Sequence, residues 1–298
     1  MDRYHAMRVF VRIAEAGGFA EAARQLHMSP PAVTRAVAAL EDAIGTRLLT
    51  RTTRAVKLTE AGARYLEDCR RILAAIEEAE AAAAGSYATP TGMLTVTASV
   101  LFGQHYVMPI LTEFLDLHPQ VTGRAIFLDR VVNLVDEGID VAIRIGHLPD
   151  SSYSAVRVGS VRQVICASPA YLERAGLPQH PSELAQHRII AATSAWTSLE
   201  WRFGAQGEIA VQVKPALFCN ANEPAISAAR AGWGLTRALS YQVGPDLIAG
   251  HLQIVLEDFE QPPLPVHIVH PEGRNASAKV RAFIDFARER LRANRVIN

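Results

Sequence analysis

The chain of 298 residues lacks the features that would place it in a membrane or a disulfide-stabilised class. No apolar run approaches the length that crosses a bilayer, and the N-terminus has no signal-peptide core or cleavage site. Only three cysteines occur, Cys69, Cys166 and Cys219. Their wide spacing is typical of reduced thiols, and none has the neighbouring resolving cysteine of a redox sensor. The sequence therefore predicts a cytoplasmic protein without disulfides.

Catalytic motifs are also missing. The sequence contains no HExxH zinc motif, no GxSxG nucleophile turn and no Walker phosphate loop. The ten histidines are scattered without the spacing of metal ligands. Gly232-Trp233-Gly234 stands between a predicted helix and a predicted strand, the reverse of a dinucleotide site, and indicates a tight turn. We therefore expect no enzymatic activity, no metal and no cofactor.

Net charge is zero, yet positive charge is concentrated locally. Residues 44–58 contain three arginines, one lysine and no acid, whereas acidic residues are spread over the rest of the chain. A local basic patch, rather than a high isoelectric point, is what a nucleic-acid-binding surface requires. Apolar residues make up 49% of the chain, which is enough for real cores, and the length exceeds one core, so two or three domains are expected.

The segment Phe19–Gly62 predicts a helix-turn-helix. Ser29 has the chemistry of an N-cap, and Pro30 suits the first position of a helix over 29–41. One face of this helix is apolar at the spacing of a buried face, with Val33, Val37, Leu40 and Ile44. The other face carries only short or cationic groups, namely Pro31, Thr34, Arg35 and Ala38. Such a face can enter a major groove.

Two short strands follow, at 48–51 and 56–58, with 52–55 as the turn between them. A basic hairpin beside a groove-reading helix predicts a winged helix-turn-helix, in which the wing contacts phosphates. The candidate DNA contacts are Ser29, Pro30, Pro31, Thr34 and Arg35 in the helix and Arg51, Thr53, Arg54 and Lys57 in the wing. The alternative is a small helical core beside a solvated basic turn, because this geometry also occurs without DNA.

A long helix is predicted over 60–84, with Thr59 as its N-cap. Its apolar residues fall on an approximate heptad seam that includes Leu66, Leu73 and Ile76. We interpret it as a dimerisation helix, and packing against another part of the chain is the alternative. A two-fold dimer predicts a pseudo-palindromic DNA site. Residues 85–92 then form a hinge.

Beyond residue 93 the pattern changes to alternating strands and helices. Strands are predicted near 121–129, 141–145 and 156–158, with a helix at 131–137. A second set runs over about 161–265 and includes a hairpin. Alternation of this kind is typical of an α/β domain with parallel sheets.

Several segments resemble LysR-type transcriptional regulators. They are AEAARQLHMSPPAVTRAVAALEDAIGTRLLTRTTRAVKLTEAG, LTEFLDLHPQV, LVDEGIDVAIRIG and ASPAYLERAGLP, in the order that this family shows. The resemblance implies DNA-binding domain 1–59, linker helix 60–84 and effector domain 93–298. The effector domain would resemble periplasmic binding proteins, with subdomain I at about 93–160 and 266–298 and subdomain II at about 161–265. Pro31 stands where many members carry Ser or Gln, so operator preference does not carry over.

The resemblance also implies that a small-molecule effector controls promoter binding. Dimers that assemble into a tetramer would bend the promoter or recruit RNA polymerase. Since ligands bind at the carboxyl ends of strands, the candidate effector contacts are Ser99, Val100, Phe102, Arg144, Trp196, Asn220 and Asn222. Each of three residues has an alternative role. Ser99 is also suited to cap a helix, and Arg144 could instead form an ion pair with Asp129 or Asp140. Trp196 could instead belong to a core or an interface. Arg144 in the cleft would favour an anionic effector.

The sequence thus predicts a LysR-type regulator of transcription that binds double-stranded DNA. Two other classes stay open at this stage. One is a small-molecule sensor that acts through protein contacts, for which DNA binding would be absent or insensitive to salt. The other is an enzyme on the α/β domain, which would turn over a metabolite.

Overall fold

The computed structural model describes residues 2–51, 56–83, 89–192, 199–273 and 276–297. The chain divides into two compact units, residues 1–88 and residues 89–298. Every helix in the described part of the chain is too short or too polar to span a bilayer.

The N-terminal unit consists of helices and one short antiparallel ribbon. Its helices are α1 (Arg3–Ala16), α2 (Phe19–Gln25), α3 (Pro30–Ile44) and α4 (Glu60–Ala83). The ribbon is formed by β1 (Leu49–Arg51) and β2 (Val56–Leu58). This is the winged helix-turn-helix that the sequence predicts.

Local sequence determines where these helices begin and end. The Ser29 hydroxyl accepts from the Ala32 amide at 3.4 Å, which confirms the predicted cap of α3. Gly45 ends α3 at φ 76°, in the left-handed region that glycine adopts without strain. Thr59 caps α4, because its hydroxyl accepts from the Gly62 amide at 2.9 Å. Gly62 has no room for a side chain, since a Cβ there would overlap the Leu48 carbonyl oxygen.

Two apolar positions differ from their predicted environments. Val33, Val37 and Leu40 are buried, but Ile44 is exposed because α3 ends there, beyond the edge of the core. Leu66, predicted to face a second subunit, is instead buried in the core of the winged domain. The seam of α4 therefore begins as an intramolecular contact, which was the alternative left open for this helix.

The C-terminal unit contains two five-stranded sheets. Sheet I has the order β4-β3-β5-β14-β6 and consists of β3 (Gly92–Ala98), β4 (Val121–Phe127), β5 (Val141–Ile145), β6 (Ser154–Val161) and β14 (Leu264–His270). Strand β3 is parallel to β4 and β5, whereas β14 is antiparallel to β5 and β6. Its helices are α5 (Val100–Phe102), which continues through a π-helical turn into α6 (Met108–Leu117), and α10 (Ala278–Ala293).

Sheet II has the order β11-β8-β12-β7-β13. Its strands are β7 (Gln163–Ala167), β8 (Ile189–Ala192), β11 (Pro215–Cys219), β12 (Leu235–Leu239) and β13 (Gln253–Val255). Its helices are α7 (Pro169–Ala175), α8 (Asn222–Arg230) and α9 (Ser240–Ile248). The predicted hairpin is β9 (Glu200–Phe203) with β10 (Ile209–Gln212).

The prediction of parallel sheets is wrong in part, because both sheets are mixed. Strand β14 enters sheet I after the chain returns from sheet II, so no strand–helix–strand unit fixes its direction. The helix predicted at 131–137 is also wrong: these residues lie in irregular chain and turns. The Asn133 side chain accepts from the amides of Val135 and Asp136, and this local turn competes with a helix.

Candidate DNA-binding surface and effector cleft

The outward face of α3 is exposed to solvent at Pro31 and Arg35, as a groove-reading helix requires. Pro31 and Arg35 are exposed and Thr34 is half-buried, whereas the opposite face is buried in the core. Ser29 and Pro30 are exposed at the N-terminal end of the same helix. Amide groups at this end carry partial positive charge, which favours nearby phosphates.

The ribbon β1–β2 follows α3 in the sequence and is antiparallel, as in a wing. Thr50 pairs with Lys57 across the ribbon, and Lys57 is exposed. Arg51 is the last residue of β1. Thr53 and Arg54 lie outside the described residues.

Glu41 connects α3 to the wing, a role that the sequence-based reasoning missed. Its carboxylate is buried, and Oε1 accepts from the backbone amides of Leu48 at 2.8 Å and Leu49 at 3.1 Å. Oε2 lies 3.5 Å from the Arg47 guanidinium, which is largely exposed. The available signal was the spacing: Glu41 stands four residues after Val37 and therefore falls on the inner face. One buried acid thus fixes the start of the wing relative to the recognition helix.

The unit 89–298 contains a cleft bordered by both of its sheets. Its volume is about 630 Å³, within the usual range of small-molecule sites. Apolar side chains dominate one side, including Leu128, Val131, Val132, Ile143, Ile145, Leu148 and Leu264. Polar and charged side chains converge on it from both sheets, and they include Ser99, Asp129, Arg130, Arg144, Gln163, Asn222, Arg237, Tyr241 and Gln242.

Ser99 lies in this cleft at the end of β3. Its hydroxyl is 3.4 Å from the Tyr241 hydroxyl and makes no capping hydrogen bond to the helix that follows. Asp129 takes that role, because its Oδ1 accepts from the Val100 amide at 3.0 Å. Burial raises the pKa of Tyr241 to about 12, so its hydroxyl stays protonated at neutral pH and can donate. A ligand near Ser99 would therefore meet two hydroxyl groups.

Arginines give the cleft its charge. The Arg144 guanidinium donates to the Val132 carbonyl oxygen at 2.7 Å. Arg130 forms a two-point ion pair with Glu137, at 2.9 and 2.7 Å. Arg237, on β12, lies over the Trp201 ring with Cζ 4.8 Å from the ring centroid. Together with Asp129 and Glu137 these groups leave the cleft with an excess of positive charge.

Comparison with known proteins is consistent across the whole chain. The family described as "LysR substrate binding domain" matches residues 88–292, and "Bacterial regulatory helix-turn-helix protein, lysR family" matches residues 4–63. The chain belongs to the LysR family of transcriptional regulators. An HTH-type transcriptional repressor of Pseudomonas aeruginosa is 34% identical over 297 residues, which cover 99% of this chain and 94% of that protein. The transcriptional activator AaeR of Escherichia coli is 30% identical over 287 residues, covering 96% and 93%.

Solved structures of LysR-type regulators share the fold. CrgA of Neisseria meningitidis is 31% identical with a TM-score of 0.62, and the match covers 97% of this chain and 99% of that one. Full-length AphB, a virulence activator of Vibrio cholerae, is 26% identical with a TM-score of 0.60, covering 95% and 97%. The predicted architecture of this LysR-family chain is thereby confirmed: a helix-turn-helix domain and a two-subdomain α/β domain.

The effector contacts predicted for this LysR-family chain have four different outcomes. Ser99, Arg144 and Asn222 line the cleft. Val100 and Asn220 do not, and Trp196 lies outside the described residues. The prediction that Phe102 contacts the effector is wrong, because Phe102 is fully buried in the core of sheet I, with its ring centroid 5.2 Å from that of Tyr241.

Neither ion pair considered for Arg144 forms. Asp129 caps the helix after β3, and Asp140 accepts from the Thr95 amide at 2.7 Å. The sequence-based prediction missed Arg237, although an arginine within the largely apolar segment GLTRAL, after the Gly232-Trp233-Gly234 turn, was a usable signal. A charged side chain at such a position must find a partner or a cavity.

Proposed function

We propose that this LysR-family regulator reads DNA through the N-terminal half of α3. Pro31, Thr34 and Arg35 contact base edges, while Ser29 and Pro30 lie at the adjoining phosphates. The wing, with Arg51, Thr53, Arg54 and Lys57, holds the phosphate backbone. The observation that carries the proposal is the exposed outer face of α3, where Arg35 projects among small side chains.

Two copies are needed to give a pseudo-palindromic site, and the distal part of α4 is the surface we propose for their contact. Leu66 is occupied by the winged domain, and Leu73 is also buried within one chain. Ile76 is half-buried and Ile72 is exposed, so these two side chains remain available to a second subunit. We propose a homodimer that assembles into a homotetramer and acts in the cytoplasm with RNA polymerase as a further partner.

The cleft is proposed to bind a small-molecule effector, with Ser99, Arg144 and Asn222 among its contacts. Both sheets contribute to the lining, so a bound molecule stabilises one arrangement of the two sheets over others. That arrangement would set the spacing of the subunits and hence the affinity for the promoter. The proposal is binding without turnover, in agreement with the regulatory family.

Selection of bound genomic fragments, followed by titration of one selected duplex, tests the proposal. Arg35→Ala should weaken binding by about 1–3 kcal/mol and relax the preference at one base position. Arg12→Ala is the matched control, because Arg12 is an arginine of α1 that forms a pair with Glu15. Equal weakening on every duplex would make Arg35 a phosphate contact. No salt-dependent binding by the unchanged chain would favour a sensor that acts through protein contacts.

A further inference from the structure

Among the described residues, one arginine of the cleft has neither a carboxylate nor a hydrogen-bond acceptor as a partner. Arg130 is paired with Glu137, and Arg144 donates to the Val132 carbonyl oxygen. Over the described part of the chain, the Arg237 guanidinium has neither an ion pair nor a hydrogen bond; its contact is the face of the Trp201 ring. A cation held on an aromatic face and open to a cavity is placed to receive an anion.

The fold holds Arg237 firmly at this position. Strand β12 lies between β8 and β7, and Arg237 pairs in register with Ile165 of β7. Trp201 belongs to strand β9 and is buried in the core, so the ring that supports the guanidinium cannot move away without exposing that core. A guanidinium with this backing is pre-organised, and less conformational freedom is lost when a ligand binds.

A second polar group lies beside the guanidinium. Gln163 pairs with Leu239, so it stands two residues from Ile165 and is a diagonal neighbour of Arg237 on the same face of sheet II. Both side chains line the cleft. A carboxylate could therefore accept from the guanidinium with one or both oxygens while the amide of Gln163 donates to it from the side.

Burial lowers the pKa of Arg237 to about 10, because no acid compensates for the lost solvation of its charge. The group still carries its proton at neutral pH. A desolvated cation without a counter-charge is unfavourable, and an incoming anion relieves that cost.

We infer that Arg237 is the anion-recognition residue of the cleft and that the effector is a small organic acid with an apolar body. The carboxylate lies on Arg237 and Gln163, and the apolar part lies against the leucine, isoleucine and valine side chains that line the cleft. This inference rests on the proposed effector-binding role of the cleft. It replaces Arg144, whose guanidinium already has a backbone partner, as the group that selects for negative charge.

Pairs of acids and their neutral amides test the inference on the full-length chain without DNA. The probes are butyrate and butyramide, benzoate and benzamide, and phenylacetate and phenylacetamide, measured by thermal shift and calorimetry. In at least one pair the acid should bind at least about 10-fold more tightly than its amide. Arg237→Gln should weaken the binding of that acid by about 10- to 100-fold and leave the affinity for the amide unchanged.

The matched control is Arg188→Gln, because Arg188 is also stacked on a tryptophan, with Cζ 5.5 Å from the Trp233 ring centroid, but lies outside the cleft lining. It should keep the acid preference. The inference is overturned if no pair favours the acid, or if the preference survives Arg237→Gln and is lost in Arg144→Gln. DNA binding by the unchanged chain is measured separately. Its absence would contradict the proposed function and not the inference about Arg237.

Discussion

Glu41 offers the sharpest test of how the reading helix and the wing are held together. Its carboxylate accepts from the amides of Leu48 and Leu49, and all three residues are buried. Glu41→Ala leaves two buried donors without an acceptor, at about 1–3 kcal/mol for each unsatisfied group. We therefore expect a total loss of about 3 kcal/mol in local stability, since relaxation and water entry offset part of the sum. That is a large share of the roughly 5–15 kcal/mol that stabilises a domain.

Hydrogen exchange measured by mass spectrometry reads this change at the affected amides. A loss of about 3 kcal/mol corresponds to exchange at Leu48 and Leu49 that is faster by about 100-fold. Glu41→Gln keeps an oxygen acceptor and should lose less than half as much, whereas Asp42→Asn alters the exposed neighbouring acid and should change little. Exchange at these amides within a few-fold of the unchanged chain in Glu41→Ala would refute the reasoning.

Two further predictions follow from burial. Leu66→Ala should lower the unfolding free energy of the winged domain by about 2–5 kcal/mol, measured by urea unfolding, without weakening dimers. Ile76→Asp should instead weaken dimers, measured by sedimentation, without destabilising the winged domain. Dimers weakened equally by both variants would contradict the assignment. Burial lowers the pKa of both His187 and His270, so the unfolded chain takes up protons first as pH falls below about 6.5, and stability, full above that pH, decreases. His270→Gln should reduce the slope of the unfolding free energy against pH. A slope equal to that of the unchanged chain would contradict this prediction.

Sequence predicted the N-terminal unit well because its determinants are local. The Ser29 and Thr59 caps and the periodic apolar face of α3 act within a few residues, so they can be recognised without knowledge of the fold. The environment of Leu66 could not be predicted in this way. An apolar stripe indicates that a surface is covered, but the covering surface, here the winged domain itself, is a tertiary property.

The C-terminal unit shows where such reasoning ends. Ser99 and Arg144 reach the cleft as predicted, because positions at or near strand ends meet at one edge of a sheet. Phe102 was misassigned because it lies on the short helix that follows Ser99, and this helix directs its ring into the core of sheet I and not into the cleft. Arg237 was missed because its importance depends on Trp201. This tryptophan belongs to the hairpin β9–β10, and only the fold brings it against Arg237 of β12.

The central claim is that α3 reads base edges while the wing holds phosphates. The most direct measurement is the dissociation constant of a selected operator and of a scrambled duplex, each determined over a range of salt concentrations. Arg35→Ala should reduce the difference in affinity between the operator and the scrambled duplex. Lys57→Ala should weaken binding to both duplexes equally and reduce the slope of log affinity against log salt concentration by about 1. Discrimination between the duplexes that Arg35→Ala leaves unchanged, or affinity that does not respond to salt, would contradict the account.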